Sequence, residues 1–160
     1  MNHSIHPHTS IGHVHLKVSD LERSLQFYTE VLGFDLTTRM GKSAAFLSAG
    51  GYHHHIGLNT WESKDGQPPP PNSTGLYHFA ILMPNRQELA KAVKRLLDYK
   101  WPIDGAADHG VSEAIYLRDP DGNGIEIYAD RPKNEWPKNA DGGIEMYTRA
   151  LDLDGLIEII

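Results

Sequence analysis

The chain has no cysteine, which excludes disulfides, thiolate zinc sites and a thiol nucleophile. No apolar run approaches the length of a membrane span, and the N-terminus lacks the hydrophobic core of a secretory signal. The expectation is therefore a cytoplasmic protein with no membrane partner. No block of Lys and Arg occurs and the formal charge is −6, so a nucleic-acid surface is not expected either. What is present is ordinary for a soluble globule, with 39% hydrophobic and 22% charged residues over 160 positions. That suffices for one domain, or for two small modules sharing a core. Histidine is in excess, at ten. His3, His6 and His8 fall in a polar lead over residues 1–9, which reads as a flexible tail rather than a site.

Along the chain, Val14, Leu16 and Val18 alternate with His13, His15 and Lys17, the period of a strand with one buried face. Ser19-Asp20-Leu21-Glu22 predicts a capping box, with Ser19 at the N-cap and Glu22 answering it. Leu21, Leu25, Tyr28 and Leu32 then form a helical stripe that Gly33 closes. Strands are predicted over 34–38 and 43–48, and from Tyr52 to Leu58. Residues 62–74 include four consecutive prolines and cannot build a packed element, so they read as a connector. After it the order repeats. A strand runs from Leu76 to Met83, a helix opens at Asn85 with Leu89, Val93, Leu96 and Leu97 as its stripe, and strands follow near 103–105, 114–117 and 124–129. The reading is one domain over 10–132 made of two βαβββ modules, about 10–61 and 75–132. A C-terminal extension over 133–160 follows, in which Trp136 is a candidate cover for an opening and 152–157 a short docked helix.

The predicted fold class is thus α+β, two paired βαβββ modules forming a curved, mostly antiparallel sheet cleft with helices outside. A repeat of this kind implies that neither module buries its sheet face alone. Aligning the halves pairs His13 with His78, and His54 with Glu126. Glu126 follows the turn Asp119-Pro120-Asp121-Gly122-Asn123-Gly124, and alternates with Ile125, Ile127 and Ala129. A Glu on a strand usually faces water; here the alternative is a closed, His-lined interior. Two imidazoles and one carboxylate on one face of an octahedral ion leave positions open, which suits non-haem Fe(II). The candidate metal ligands are His13, His78 and Glu126. His15 shares the face of His13 and is the other candidate at that position.

These segments together resemble the glyoxalase/bleomycin-resistance/dioxygenase group, the vicinal oxygen chelate superfamily, over about residues 10–132. The carriers are Ile11-Gly12-His13-Val14, Ser19-Asp20-Leu21, Phe27-Tyr28, Leu32-Gly33-Phe34 and Asp119 through Glu126. Within the group, Tyr52 through Asn59, Gly75 through Phe79 and Asp108 through Tyr116 are similar to extradiol catechol 2,3-dioxygenases. That resemblance implies metal ligation by His13, His78 and Glu126, and an acid–base role for His109 through its His-Gly motif. It also implies substrate contact by Tyr116 and an active-site place for His54. The implied cofactor is a divalent metal, Fe(II) first, with Mn, Ni or Zn as other ions the same ligands take. The implied reaction is ring cleavage of a small aromatic diol by O2. Larger members have four modules, so a second subunit is expected to complete this one as a homodimer or higher homo-oligomer. Rival readings are a glyoxalase-like or fosfomycin-resistance-like metalloenzyme on the same scaffold, or a non-catalytic small-molecule-binding protein. A glyoxalase would want a carboxylate where this chain has His54, which counts against that rival.

Overall fold

Alternation settles the first strand, β1 (Val14–Lys17), in which Leu16 is buried while His15 and Lys17 are exposed. The computed structural model describes residues 4–160, so His3 of the N-terminal lead lies outside the described residues. Helix α1 (Leu21–Gln26) starts one residue later than the capping box implies: Asp20 is the N-cap, and its carboxylate accepts from the Arg23 N–H at 3.1 Å. The reason is competition for Glu22. Both of its oxygens are taken by the guanidinium of Arg39, a two-pronged charged contact stronger than a single backbone bond. This contact holds the Glu22 carboxyl below its ordinary range. The helix then widens into a π turn over Phe27–Val31, which keeps Phe27, Tyr28 and Val31 all inside. Gly33 ends it at φ 85°.

Strands β2 (Asp35–Met40), β3 (Ala44–Ser48) and β4 (Ile56–Asn59) complete a four-stranded sheet in the order β1-β4-β3-β2. β1 and β4 are parallel and the other pairs antiparallel. The strand expected from Tyr52 begins only at Ile56. Gly50 and Gly51 turn with positive φ, and pairing with β3 starts at Leu47–Ile56. Tyr52–His55 are therefore loop, where the Tyr52 ring packs against His53 at 4.0 Å and His55 at 4.8 Å. His54 does not alternate on a strand with its neighbours.

The described chain groups into two compact units, one holding residues up to Thr29 and Gly33–Gln67, the other Glu30–Leu32 and Pro68–Ile160. In the second unit, β5 (Phe79–Leu82), β6 (Gly105–Asp108), β7 (Ser112–Arg118), β8 (Gly124–Asp130) and β9 (Arg149–Ala150) form a sheet in the order β5-β8-β7-β6-β9. β5 and β8 are parallel, the rest antiparallel. Helix α2 (Arg86–Asp98) opens as read, with Asn85 Oδ1 accepting from Glu88 N–H at 2.9 Å. Leu89, Ala90, Val93 and Leu96 are buried, whereas Leu97 is 48% exposed. Leu97 stands about 100° round the helix from Leu96, off the stripe. Leu76 and Tyr77, expected in a strand, are 59% and 87% exposed and precede it. The extension supplies β9, which the sequence did not suggest, and α3 (Leu153–Ile157), whose Leu156 is fully buried. Among the described residues no helix is long and apolar enough to cross a membrane.

Candidate active site

The second sheet builds its polar face by register. Glu126 on β8 stands opposite Tyr116 on β7, and Tyr116 opposite Gly105 on β6. Ile125, Ile127 and Ala129 point the other way and are at most 3% exposed. Along the same face, Ala107 and Ala114 form the next cross-strand pair. Their small side chains leave space above the sheet for longer neighbours to meet. His109, just past the end of β6, reaches Tyr116.

The turn before β8 is locked from within. Asp119 is 4% exposed, and its Oδ1 accepts from the N–H groups of Asp121 and Asn123 at 2.9 and 2.8 Å. Its Oδ2 accepts from the Asn123 amide at 2.9 Å, and Gly122 takes φ 83°. The turn ends on Gly124, for a reason that φ does not supply. A methyl group there would run into the Tyr77 carbonyl oxygen and come within 3.1 Å of His78 Cβ. Glycine lets the chain carrying His78 lie directly on β8. Gly124→Ala is therefore expected to push His78 off its seat and cost about 1–3 kcal/mol, as overpacking does. At about 2–4 °C per kcal/mol for a chain of this size, a thermal melt reads it, and an unchanged Tm would show that the contact yields freely.

Four expected site residues come together here. His78 Nε2 lies 3.0 Å from Glu126 Oε2. The Tyr116 hydroxyl is within donating reach of Glu126 Oε1 at 3.2 Å, and the Tyr116 oxygen is 2.7 Å from His109 Nε2. His109 Nδ1 is 2.9 Å from the Tyr147 carbonyl oxygen. Burial first, and then the Glu126 charge, push the Tyr116 phenol up to about 12, so it stays a proton donor at neutral pH. Tyr77, His78, His109, Tyr116 and Thr148 are among the residues lining a cavity of about 410 Å³. Arg118, also on the wall, pairs with Asp104 at 3.1 Å.

His13, His15 and His54 belong to the first unit. The His13 and His54 rings are 4.4 Å apart, and His53 Nδ1 lies 2.7 Å from His54 Nδ1. Burial, followed by the neighbouring imidazoles of His13, His53, His15 and His55, holds His54 below the ordinary imidazole range, and burial and His13 do the same to His15. Crowding of this kind favours neutral rings. His15 is engaged in packing, with its ring 5.8 Å from Phe46 and 5.6 Å from Trp61 and pressed on Gly57.

Among the described residues no three His, Asp or Glu side chains are gathered as a metal-holding group. The pair that the second unit does assemble has the right chemistry for a divalent cation: an imidazole nitrogen beside a carboxylate oxygen. The carboxylate's other oxygen is held by Tyr116, the kind of support that orients a ligand. Sequence reasoning missed the Tyr147 carbonyl, Thr148 and the Asp104–Arg118 pair. The carbonyl could not have been found from residue type, since every residue carries one.

The Glyoxalase/Bleomycin resistance protein/Dioxygenase superfamily matches residues 10–127. The chain is 46% identical over 156 residues to the catechol-2,3-dioxygenase of Bacillus subtilis (strain 168), covering 97% of this chain and 53% of that protein. It thus spans about half the length of that relative. It is 30% identical to the metallothiol transferase FosB of Staphylococcus epidermidis, over 75% of this chain and 81% of that one. Among solved structures, a glyoxalase/dioxygenase from Nostoc punctiforme shares the fold with a TM-score of 0.65 at 24% identity, covering 82% of this chain and 99% of that one.

Proposed function

Since this chain belongs to the Glyoxalase/Bleomycin resistance protein/Dioxygenase superfamily, we propose that it is a metal-dependent extradiol dioxygenase that opens the ring of a catechol-type substrate with O2. The observation that carries this reading is the line His78–Glu126–Tyr116–His109, four side chains in hydrogen-bond reach, of which His78, Tyr116 and His109 line one cavity. His78 and Glu126 are the ligands we assign in this unit, with Fe(II) as the first candidate ion. A bound Fe(II) supplies chelation of the two diol oxygens and a path for electrons from the ring to dioxygen. The chain's own residues handle orientation and protons.

A backbone carbonyl only accepts, so His109 carries a proton on Nδ1 toward Tyr147. Its Nε2 is then the basic atom, positioned to receive a proton from the diol. The Tyr116 hydroxyl has a single proton and two acceptors, Nε2 at 2.7 Å and Glu126 Oε1 at 3.2 Å. Proton uptake at Nε2 turns it from acceptor to donor, and the Tyr116 hydroxyl, keeping its proton, then gives its hydrogen bond to Glu126 Oε1 alone. Substrate deprotonation thereby strengthens the hydrogen bond on the carboxylate.

The likeness to FosB keeps a thiol transferase as the second reading. Arg118, already paired with Asp104, offers the cavity no uncompensated positive charge for an anionic substrate, which favours a neutral diol. The test is metal analysis of protein purified without oxygen, then an assay of oxygen uptake and yellow ring-opened product with catechol. Turnover restored to stripped protein by Fe(II) or Mn(II) is the expected result. Absence of uptake across a catechol panel, with thiol transfer observed instead, overturns the proposal.

A further inference from the structure

The extension beyond the superfamily match returns to the site. Residues 137–150 lie past the matched residues 10–127, yet they reach β6 from its open side. Arg149 and Ala150 pair with Asp108 and Ala107, and the Tyr147 N–H donates to the His109 carbonyl at 3.3 Å. The strap is seated by a notch in the chain. Gly110 takes φ 78°, and a side chain there would meet the Tyr147 ring at 2.7 Å and Pro137 at 2.9 Å. Above the ring, the Arg149 guanidinium stacks at 4.0 Å. Asp108 holds the turn from the other end, accepting from the Gly110 N–H at 2.8 Å and pairing with Arg131 at 2.9 Å. The ring, notch and ion pair together fix where the Tyr147 carbonyl stands.

We infer that this strap is a working part of the proton-transfer site: the Tyr147 carbonyl sets the tautomer of His109, and with it which ring nitrogen is basic. The inference rests on the reading of His109 as the acid–base group. In the neutral ring only one nitrogen carries hydrogen, and the partner of the other decides which. Nδ1 faces an oxygen that cannot donate, at 2.9 Å. Nε2 faces a hydroxyl that can, at 2.7 Å. The Tyr116 hydroxyl can donate or accept, so it is the Tyr147 contact that selects the Nδ1–H form. Released from the strap, the ring would be free to take the Nε2–H form, which presents a donor to Tyr116 where the mechanism needs a base. Tyr147 is thus a positioning residue acting through its main chain, and Gly110 and Arg149 are the parts that position Tyr147. Thr148, with Oγ1 3.4 Å from His109 Nδ1 and a place on the cavity wall, puts the strap in view of the substrate as well.

The test reads the tautomer itself. Long-range 1H–15N spectra of the metal-free full chain, with the ring neutral, are expected to show a protonated Nδ1 and a bare Nε2 at His109. Tyr147→Gly empties the notch and removes the stacked ring while leaving α3 in place, and should shift His109 toward the Nε2–H form. Arg149→Ala, a milder change, should move it part of the way. In the loaded enzyme, Tyr147→Gly is expected to lower kcat about 10–100-fold with KM little changed, by analogy with the loss of groups that orient a metal-bound histidine. A wild-type His109 protonated on Nε2 overturns the inference outright, whatever the variants do. So does a folded Tyr147→Gly protein whose His109 signals are unmoved. If the tautomer responds but no catechol is cleaved, the strap's role stands and the proposed activity falls.

Discussion

Glu126→Ala is expected to abolish metal retention and, with it, ring cleavage, while leaving a folded chain. The carboxylate supplies the only charge in the donor set proposed for the cation, and it stands 3.0 Å from the second donor, His78. Losing groups that merely orient a metal ligand costs about 10–100-fold in affinity, so removal of a ligand should exceed that. Stability should change little, because two terms oppose each other. The hydrogen bond from Tyr116 to a charged oxygen is lost, on the order of 1.5–3 kcal/mol. Against this, a carboxylate whose side chain is only 15% exposed no longer has to be held out of water. Anaerobic titration with Fe(II) or Mn(II), beside a thermal melt of the metal-free protein, separates the cases. Wild-type affinity in the variant would remove Glu126 from the ligand set. A collapse of the melting temperature would make its role structural.

His109→Phe is expected to keep metal and lower kcat by about 100- to 10,000-fold, the usual contribution of a positioned general acid–base group. At 1.36 kcal/mol per tenfold, that is about 3–5 kcal/mol of transition-state stabilisation. Phenylalanine retains a flat ring but can neither accept at the Nε2 position nor donate toward the Tyr147 carbonyl. Tyr116 is left with Glu126 as its remaining partner of the two. The readout is kcat against pH together with metal stoichiometry. The variant should bind metal as the wild type does and lose the limb of the profile that reports its base. Unchanged turnover would show that the proton leaves by another route, and loss of metal would show that the residue supports the centre rather than the chemistry.

Local pattern carried much of this in advance. The alternation of Ile125, Ile127 and Ala129 with Glu126 put the carboxylate on the correct face, and the Asn85 cap fixed the start of α2. Histidine-glycine at 109–110 and tyrosine at 116 pointed to two residues that do meet. The errors share a cause. The N-cap moved from Ser19 to Asp20 because Arg39, distant in sequence, claims Glu22. His54 left the strand because pairing with β3 stops at Leu47. Each outcome turned on a partner that a local window does not contain.

By itself the sequence determined the order of elements within the two modules, the family and the chemical types at the site, because those follow from side-chain period, turn preference and residue identity. Only the tertiary structure decided that Gly124 is small to seat His78, that the extension returns as β9, and that a main-chain oxygen of Tyr147 meets His109. The physical reason is that a close approach or a backbone acceptor depends on what another part of the chain places opposite, and residue type alone does not encode that.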